Sequence, residues 1–184
     1  MTVTRAVVRV TPIGRFAPPS PGEKAIGDRH VLTEAPFSYE DDPDLPGWKR
    51  WQFRDPTRFN SFIEPLLVKV EGPIARVRML PRHEHSNMRG DVHGGALLGF
   101  MDVALFAAAR GFGVLQAGGA VTLDLSAQFI GGGAIGVPLE AHVELLRETR
   151  NMLFLRGLIV QDDTPTIASF TGTLRKSTPP GGTR

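Results

Sequence analysis

The stretch Asn87-Met-Arg-Gly-Asp-Val-His-Gly-Gly-Ala-Leu-Leu-Gly-Phe-Met-Asp102 decides the fold of this chain. It begins as a polar loop and passes through two consecutive glycines into a run that is apolar or small at almost every position from 96 to 109. A helix that is apolar on all sides is buried in a protein core. We therefore predict a core helix of about fourteen residues here, shorter than the about 20 residues that a membrane span requires.

One acidic side chain interrupts this helix. Asp102 is its only ionisable residue before Arg110, and a buried carboxylate is unfavourable unless it is paired or takes part in chemistry. At the start of the helix, Gly94 and Gly95 have no Cβ, so a ligand can come close to their N–H groups. These N–H groups have no partner within the helix and lie at the positive end of its dipole, which suits a carbonyl oxygen that gains negative charge.

The spacing of these two groups requires a second subunit. Gly94 and Asp102 are eight residues apart, which corresponds to about 12 Å of helix, whereas reacting groups approach to about 3–3.5 Å. Two helices that meet about a two-fold axis would bring Gly94 of one subunit to Asp102 of the other and form two equal sites. We predict an obligate homodimer, either alone or as half of a homotetramer.

Alternating apolar and polar residues on both sides of the helix predict strands. Before the helix, residues 57–64 suggest a short helix, and residues 66–70 and 74–80 flank a turn at Gly72-Pro73. After it, four strands are predicted, over residues 121–129, 137–145, 152–160 and 166–175. A strand pair, one long helix and four more strands predict an α+β architecture in which an antiparallel sheet curls around the helix.

The first 52 residues differ from the rest in composition. They contain seven prolines, which interrupt long elements, so residues 1–52 are predicted to be an irregular extension with at most a short strand at 7–10. Residues 53–176 are predicted to be the folded domain. The Pro/Gly-rich residues 177–184 are predicted to be a flexible tail.

One motif in this stretch is Asn-x-x-Gly-x-x-His-Gly-Gly, formed by Asn87, Gly90 and His93 to Gly95, and Asp102 follows nine residues after the histidine. This pattern resembles the PaaI-like (phenylacetate-pathway) branch of the hotdog-fold acyl-CoA thioesterases. The residues around Thr122 and the segment 168–174 resemble the family as well, and the resemblance covers roughly residues 53–176. It implies a hotdog fold and hydrolysis of an acyl-CoA to a carboxylic acid and CoA. It implies no cofactor, because CoA is part of the substrate.

The resemblance also implies roles for individual residues. The Gly94 N–H would stabilise the oxyanion, and Asp102 would act as general base on a water or attack the thioester directly. Asn87 would orient the water or Asp102, and His93 would bind the thioester region or fix the loop. Thr122 would help to hold the water beside the acid.

Substrate binding is assigned to three further positions. Gly95 would contribute to the thioester site, and Arg147 and Arg150, at a predicted strand turn, would bind the nucleotide end of CoA. Structural alternatives stay open, since Asp102 could cap a neighbouring backbone and Thr122 could simply be a strand residue. At the level of function, the alternatives are a non-catalytic acyl-CoA-binding hotdog protein, acting as sensor or scaffold, and a hydratase of the same fold.

Composition excludes several other classes. The chain has 184 residues, 41% of them hydrophobic, and no cysteine, so it has no disulfide framework and no thiol nucleophile. A net charge of +2 gives little support to nucleic-acid binding. The N-terminal residues lack the apolar run of a signal peptide, and the sequence has no serine-hydrolase elbow. We therefore expect a cytoplasmic enzyme without membrane or nucleic-acid partners. His83-Glu84-His85 is interpreted as a solvated loop, and no metal site is predicted.

Overall fold

A computed structural model of the chain describes residues 37–115, 119–162 and 165–177. In this part of the chain, one eight-stranded antiparallel sheet curls around one α-helix. The elements are β1 (Phe37–Asp41), β2 (Lys49–Phe53), β3 (Leu66–Glu71), β4 (Ile74–Met79), α1 (Gly94–Gly111), β5 (Ala120–Phe129), β6 (Leu139–Glu148), β7 (Met152–Val160) and β8 (Ala168–Lys176). The strand order is β1-β2-β3-β4-β6-β7-β8-β5, so β1 and β5 are the two edges. The predicted α+β hotdog fold is confirmed.

Helix α1 lies against the concave face of the sheet and is the centre of the core. Ten of its side chains are buried, among them Phe100, Met101 and Leu105. It has 18 residues instead of the about fourteen predicted, because it begins at the glycines and ends at Gly111. By length and composition alone α1 could span a membrane, but a buried core helix meets the same criterion.

The helix approaches β8 at a glycine. A Cβ atom on Gly172 would overlap with the Cδ1 atom of Leu105 on α1 and would lie 3.4 Å from the backbone oxygen of Asp124 on β5. Only a residue without a side chain therefore allows α1 to pack this closely against the sheet. The depth of the helix in the sheet is fixed at this point.

The N-terminal boundary of the sheet differs from the prediction. Residues 37–52 are not irregular, because β1 and β2 add two paired strands beside β3. The prolines that suggested an irregular segment, Pro43 and Pro46, lie in the turn between these strands and interrupt neither of them. Residues 1–36, with the predicted strand at 7–10, and the tail residues 178–184 lie outside the described residues.

The turn between β1 and β2 is held by one carboxylate. Asp42 accepts hydrogen bonds from the N–H groups of Asp44 and Leu45, both at 3.0 Å, and from the guanidinium of Arg50 at 2.8 and 2.9 Å. A short polar side chain such as that of Asp42 stabilises a turn by accepting hydrogen bonds from nearby backbone N–H groups.

The predicted helix at 57–64 is a single 3₁₀ turn, Phe59–Phe62.

An ion cluster lies on the convex face of the sheet. Glu140 on β6 accepts hydrogen bonds from Arg76 and Arg78 on β4, at 2.6 to 2.9 Å, and pairs with His142 at 2.9 Å. The guanidinium of Arg78 also lies 4.3 Å from the ring centroid of Trp48. Burial would raise the pKa of Glu140, but the hydrogen bonds from Arg76, His142 and Arg78 lower it to about 2.

We expect Glu140→Gln to lower the free energy of unfolding at pH 7 by at most about 3 kcal/mol. The folded pKa is below the ordinary value of 4.5, so this stabilisation is present above that value and is lost as the pH falls toward about 2. Urea unfolding of both proteins from pH 7 to pH 2 measures the difference. The control Glu144→Gln breaks an exposed pair with Arg156 and should cost less than about 1 kcal/mol. A Glu140→Gln deficit that stays constant with pH would contradict the assignment.

Candidate active site

The carboxylate of Asp102 is held by a threonine on the neighbouring strand. Thr122 Oγ1, on β5, donates a hydrogen bond of 2.6 Å to Asp102 Oδ1. Among the described residues, Asp102 Oδ2 has no hydrogen-bond partner. The side chain is partly exposed, so one carboxylate oxygen is fixed and the other remains available.

The first turn of α1 has one unused amide. His93 caps the helix, since its Nδ1 atom accepts a hydrogen bond of 2.9 Å from the Gly95 N–H. The N–H groups of Ala96 and Leu97 both bond to the His93 carbonyl. Within the described residues, the Gly94 N–H has no partner. Gly94 can therefore donate to a ligand, whereas the N–H of Gly95, predicted to bind substrate, is taken up by the histidine ring.

The loop before the helix is built on Asn87. Its Oδ1 atom accepts hydrogen bonds from the N–H groups of Arg89, at 2.8 Å, and Asp91, at 3.2 Å. Its backbone N–H donates to the Asp91 carbonyl at 2.8 Å. Gly90 has a φ of +85° at the tip of the loop, a conformation that favours glycine. The side-chain oxygen of Asn87 is thus used to shape the loop.

Two separate cavities contain the predicted reactive groups. The first, called the Gly94 cavity, has a volume of about 380 Å³ and is lined among others by Asn87, Arg89, Asp91, Gly94, Phe129 and Ile130. The second, called the Asp102 cavity, has a volume of about 400 Å³ and is lined among others by Phe37, Trp51, Phe53, Asp102, Phe106 and Ala120. Gly94 and Asp102 therefore face different cavities within one chain.

The two cavities lie at opposite ends of β5. Phe129 and Ile130, which line the Gly94 cavity, are at its C-terminal end, and Ala120, which lines the Asp102 cavity, is its first residue. This strand is an edge of the sheet, and no other described strand pairs with its outer side. An edge strand of ten residues presents its unpaired backbone groups to another chain.

The predicted CoA-binding arginines lie elsewhere. Arg147 is near the end of β6, Arg150 is in the turn between β6 and β7, and neither lines a cavity. Arg89 does line the Gly94 cavity, with 85% of its side chain exposed. Sequence reasoning missed it, although a cation two residues after Asn87 in the motif was a usable signal.

A second arginine borders the Asp102 cavity. Arg110, eight residues after Asp102 on α1, lines this cavity and lies 4.2 Å from the ring centroid of Phe37. Burial lowers its pKa, while the nearby Tyr39 acts in the opposite direction. The spacing of eight residues places both side chains on the same face of the helix.

The His-Glu-His segment is structural. His85 is fully buried, its Nδ1 atom accepts from the Arg82 N–H at 2.7 Å, and its Nε2 atom lies 2.5 Å from the Phe62 carbonyl. The interpretation as a solvated loop is therefore wrong for this residue, because both ring nitrogens are needed to tie the loop to the 3₁₀ turn. Among the described residues, no group of three or more His, Cys, Asp or Glu side chains could hold a metal ion.

Comparison with known proteins agrees with this architecture. The family model of the thioesterase superfamily matches residues 89–168. A variant of the phenylacetic acid degradation protein PaaI from Thermus thermophilus is 26% identical, with a TM-score of 0.54, and the match covers 67% of this chain and 100% of that chain. No curated protein matches the chain.

Two more solved structures show the fold. The E. coli PaaI protein from the phenylacetic acid degradation operon is 23% identical, with a TM-score of 0.51, over 59% of this chain and 80% of that one. A hypothetical thioesterase from Streptococcus pneumoniae, solved with coenzyme A, is 19% identical, with a TM-score of 0.56, over 64% and 90% of the chains. The fold is that of the hotdog proteins, and residues 89–168 are similar to the thioesterase superfamily. More particularly, the predicted resemblance to PaaI-like thioesterases is confirmed.

We expect His93→Ala to lower the free energy of unfolding by about 1 kcal/mol, because the cap of the Gly95 N–H is lost. His93→Asn supplies a capping oxygen in its place and should recover most of that loss. Urea unfolding of the three proteins measures the difference. Equal stability of His93→Ala and the wild type would show that the ring does not hold the start of the helix.

Proposed function

We propose that the protein is an acyl-CoA thioesterase, which hydrolyses the thioester of an acyl-CoA to a carboxylic acid and CoA. The observation that carries the proposal is that the chain has both an unused amide, at Gly94, and a carboxylate with one available oxygen, at Asp102. An amide donor and a carboxylate are the two groups that hydrolysis of an activated carbonyl needs. The match to the thioesterase superfamily supports the same chemistry.

The complete site, in this proposal, is formed by two subunits. A two-fold axis beside β5 pairs this edge strand antiparallel with its copy, so the Phe129 end of one chain meets the Ala120 end of the other. The Gly94 cavity of one subunit then joins the Asp102 cavity of its partner. The exposed side chains of Val121, Leu123 and Phe129 on β5 support burial of this edge in a dimer.

In the reaction, the acyl oxygen accepts a hydrogen bond from the Gly94 N–H at the positive end of α1. Asp102 Oδ2 of the partner subunit removes a proton from the attacking water, or attacks the carbonyl carbon itself. Thr122 is a positioning residue, because its hydroxyl holds Oδ1 and so orients Oδ2. The tetrahedral oxyanion collapses, the C–S bond breaks, and the sulfur of CoA leaves and takes up a proton. After attack by water, this step gives the carboxylic acid directly. After attack by Asp102, it leaves the acyl group on the carboxylate as an anhydride, which a water then hydrolyses to release the acid and restore Asp102.

In this proposal, the two cavities bind different parts of the substrate. The Asp102 cavity has mostly apolar walls and suits the acyl group. The Gly94 cavity has polar side chains, and its Arg89 is the cation available to a CoA phosphate. The Streptococcus pneumoniae thioesterase of the same fold was solved with coenzyme A, which supports CoA as the leaving group.

We expect Asp102→Asn to lower kcat by at least about 100-fold with a small change in KM, since the group that activates the nucleophile is lost. Steady-state hydrolysis of a panel of short, medium and aryl acyl-CoAs measures both constants. The matched control is Asp44→Asn, an exposed carboxyl in the β1–β2 turn, which should keep the wild-type rate. Unchanged turnover in Asp102→Asn would favour the non-catalytic acyl-CoA-binding protein.

A shared site also predicts complementation between two inactive variants. Gly94→Pro removes the N–H donor, and proline is well tolerated at the first helical position after an extended residue such as His93. Gly94→Ala is the control that keeps the N–H, and a Cβ atom there has ordinary contacts with Phe129 at 3.6 Å. We expect Gly94→Pro to lose about 100-fold or more in kcat and Gly94→Ala to lose much less.

Refolding equal amounts of Gly94→Pro and Asp102→Asn chains together tests where the two groups meet. Heterodimers form half of the mixture and have one intact site of two, so about a quarter of the wild-type activity should return. Activity that does not rise above that of the separate variants would place both groups in a site within one chain.

A further inference from the structure

One row of residues in the C-terminal half of α1 is only partly buried. Asp102, Phe106 and Arg110 follow one another at intervals of four residues and are partly exposed, while the residues between them are buried. All three line the Asp102 cavity. Residues four apart lie on the same face of a helix. The cavity therefore extends along this face and has a carboxylate and a cation among its lining residues.

The charged end of Arg110 lies against a wall of this cavity. Its guanidinium carbon is 4.2 Å from the ring centroid of Phe37, and Phe37 is itself a lining residue. Arg110 is partly exposed, so a ligand can reach its side chain. Burial nevertheless lowers the pKa of Arg110, because water does not fully surround the charge.

The guanidinium can bind an acceptor in addition to the contacts that it already makes. Contact with an aromatic ring involves its charge, whereas its five N–H donors form a planar fork. This fork matches the two oxygens of a carboxylate, and the attraction is stronger where water is partly excluded. Arg110 is therefore the lining residue of the Asp102 cavity that fits a carboxylate best.

The end of the helix explains the charge of Arg110 but not its location. Arg110 is the basic residue in the last turn of α1, and a cation there is favoured by the helix dipole. That effect does not require a position on the face of Asp102, or contact with an aromatic ring that lines the same cavity. This placement points to a ligand in the cavity.

The spacing of the two charged residues determines where an anion on the substrate would lie. Eight residues separate Asp102 from Arg110, which corresponds to about 12 Å along the helix. In the proposed reaction the thioester lies at Asp102, so a group bound by Arg110 belongs to the far end of the acyl chain. Other lining residues, among them Phe53 and Phe106, are apolar and suit a chain of methylene groups.

We propose that Arg110 is a specificity-determining residue, and that the preferred substrates are acyl-CoAs with a carboxylate at the far end of an apolar acyl chain. The guanidinium of Arg110 binds this carboxylate, and Asp102 of the same subunit acts at the thioester. Hydrolysis then releases CoA and a dicarboxylic acid. This inference rests on the proposed thioesterase function and extends it to a class of substrate.

Substrates that differ only in the charge of the distal group test the proposal. Adipoyl-, pimeloyl- and suberyl-CoA are each compared with the analogue in which a primary amide replaces the distal carboxylate, so that size and a hydrogen-bonding oxygen are kept. For the wild type we expect at least one carboxylate substrate to exceed its amide in kcat/KM by about tenfold or more. In Arg110→Met this preference should disappear, while the amide is still hydrolysed.

Three further variants serve as controls. Arg110→Lys keeps the charge but loses the planar fork, so it should retain part of the preference. Arg156→Met removes an exposed arginine that pairs with Glu144 and lines neither the Gly94 nor the Asp102 cavity, so it should keep the wild-type preference. Arg89→Met acts at the CoA end and should lower kcat/KM for acid and amide by the same factor. An undiminished preference in Arg110→Met, or no preference at any chain length in the wild type, would overturn the assignment.

A binding measurement separates this assignment from the proposed reaction. In the Asp102→Asn protein, isothermal titration calorimetry gives the Kd of each carboxylate ligand and of its amide without turnover. We expect one carboxylate ligand to bind about tenfold more tightly than its amide, and Arg110→Met in the same background to abolish the difference. Equal Kd values for every pair would refute the role of Arg110. Tighter carboxylate binding in a protein whose wild type hydrolyses no acyl-CoA would refute the thioesterase function alone.

Discussion

The burial of α1 in the curved sheet is the constraint on which the rest of the structure depends. Ten of its side chains are buried, and the close contact of Leu105 with Gly172 fixes how deep the helix lies. A helix packed in this way cannot rotate or slide without overlap, because protein cores are close-packed. The Gly94 amide and the Asp102 carboxylate are therefore held at fixed positions relative to β5.

Because the helix is rigid, the Gly94 amide and the Asp102 carboxylate of one chain stay apart, at opposite ends of the edge strand β5. The same strand carries Thr122, which orients the carboxylate. Since β5 is unpaired on its outer side among the described strands, a single surface can complete the sheet and complete the site. In the proposed dimer, stability and catalysis would be coupled, because both would depend on the same edge.

The β1–β2 hairpin adds a second level of organisation. It extends the sheet at the edge remote from β5, yet Phe37, Trp51 and Phe53 reach the cavity that contains Asp102. The turn of the hairpin is held by the carboxylate of Asp42. The helix and the strands next to it supply the proposed reactive groups, and the hairpin supplies much of the wall that an acyl group would contact.

The sequence by itself determined the core helix, six of the eight strands and the presence of an acid and a glycine amide on one helix. These features depend on local periodicity and on spacing along one element, which can be read directly from the residues. The spacing of Gly94 and Asp102 was enough to predict that a single chain separates them.

Tertiary structure decided which residues line each cavity. It brought Trp51 and Arg89 to the two cavities, left Arg147 and Arg150 outside both, and used the Gly95 amide for the His93 cap. The pairing of β2 with β3 decided the place of Trp51. Such pairings join residues far apart in the chain, and no local pattern of apolar and polar residues specifies which distant side chain will share a cavity.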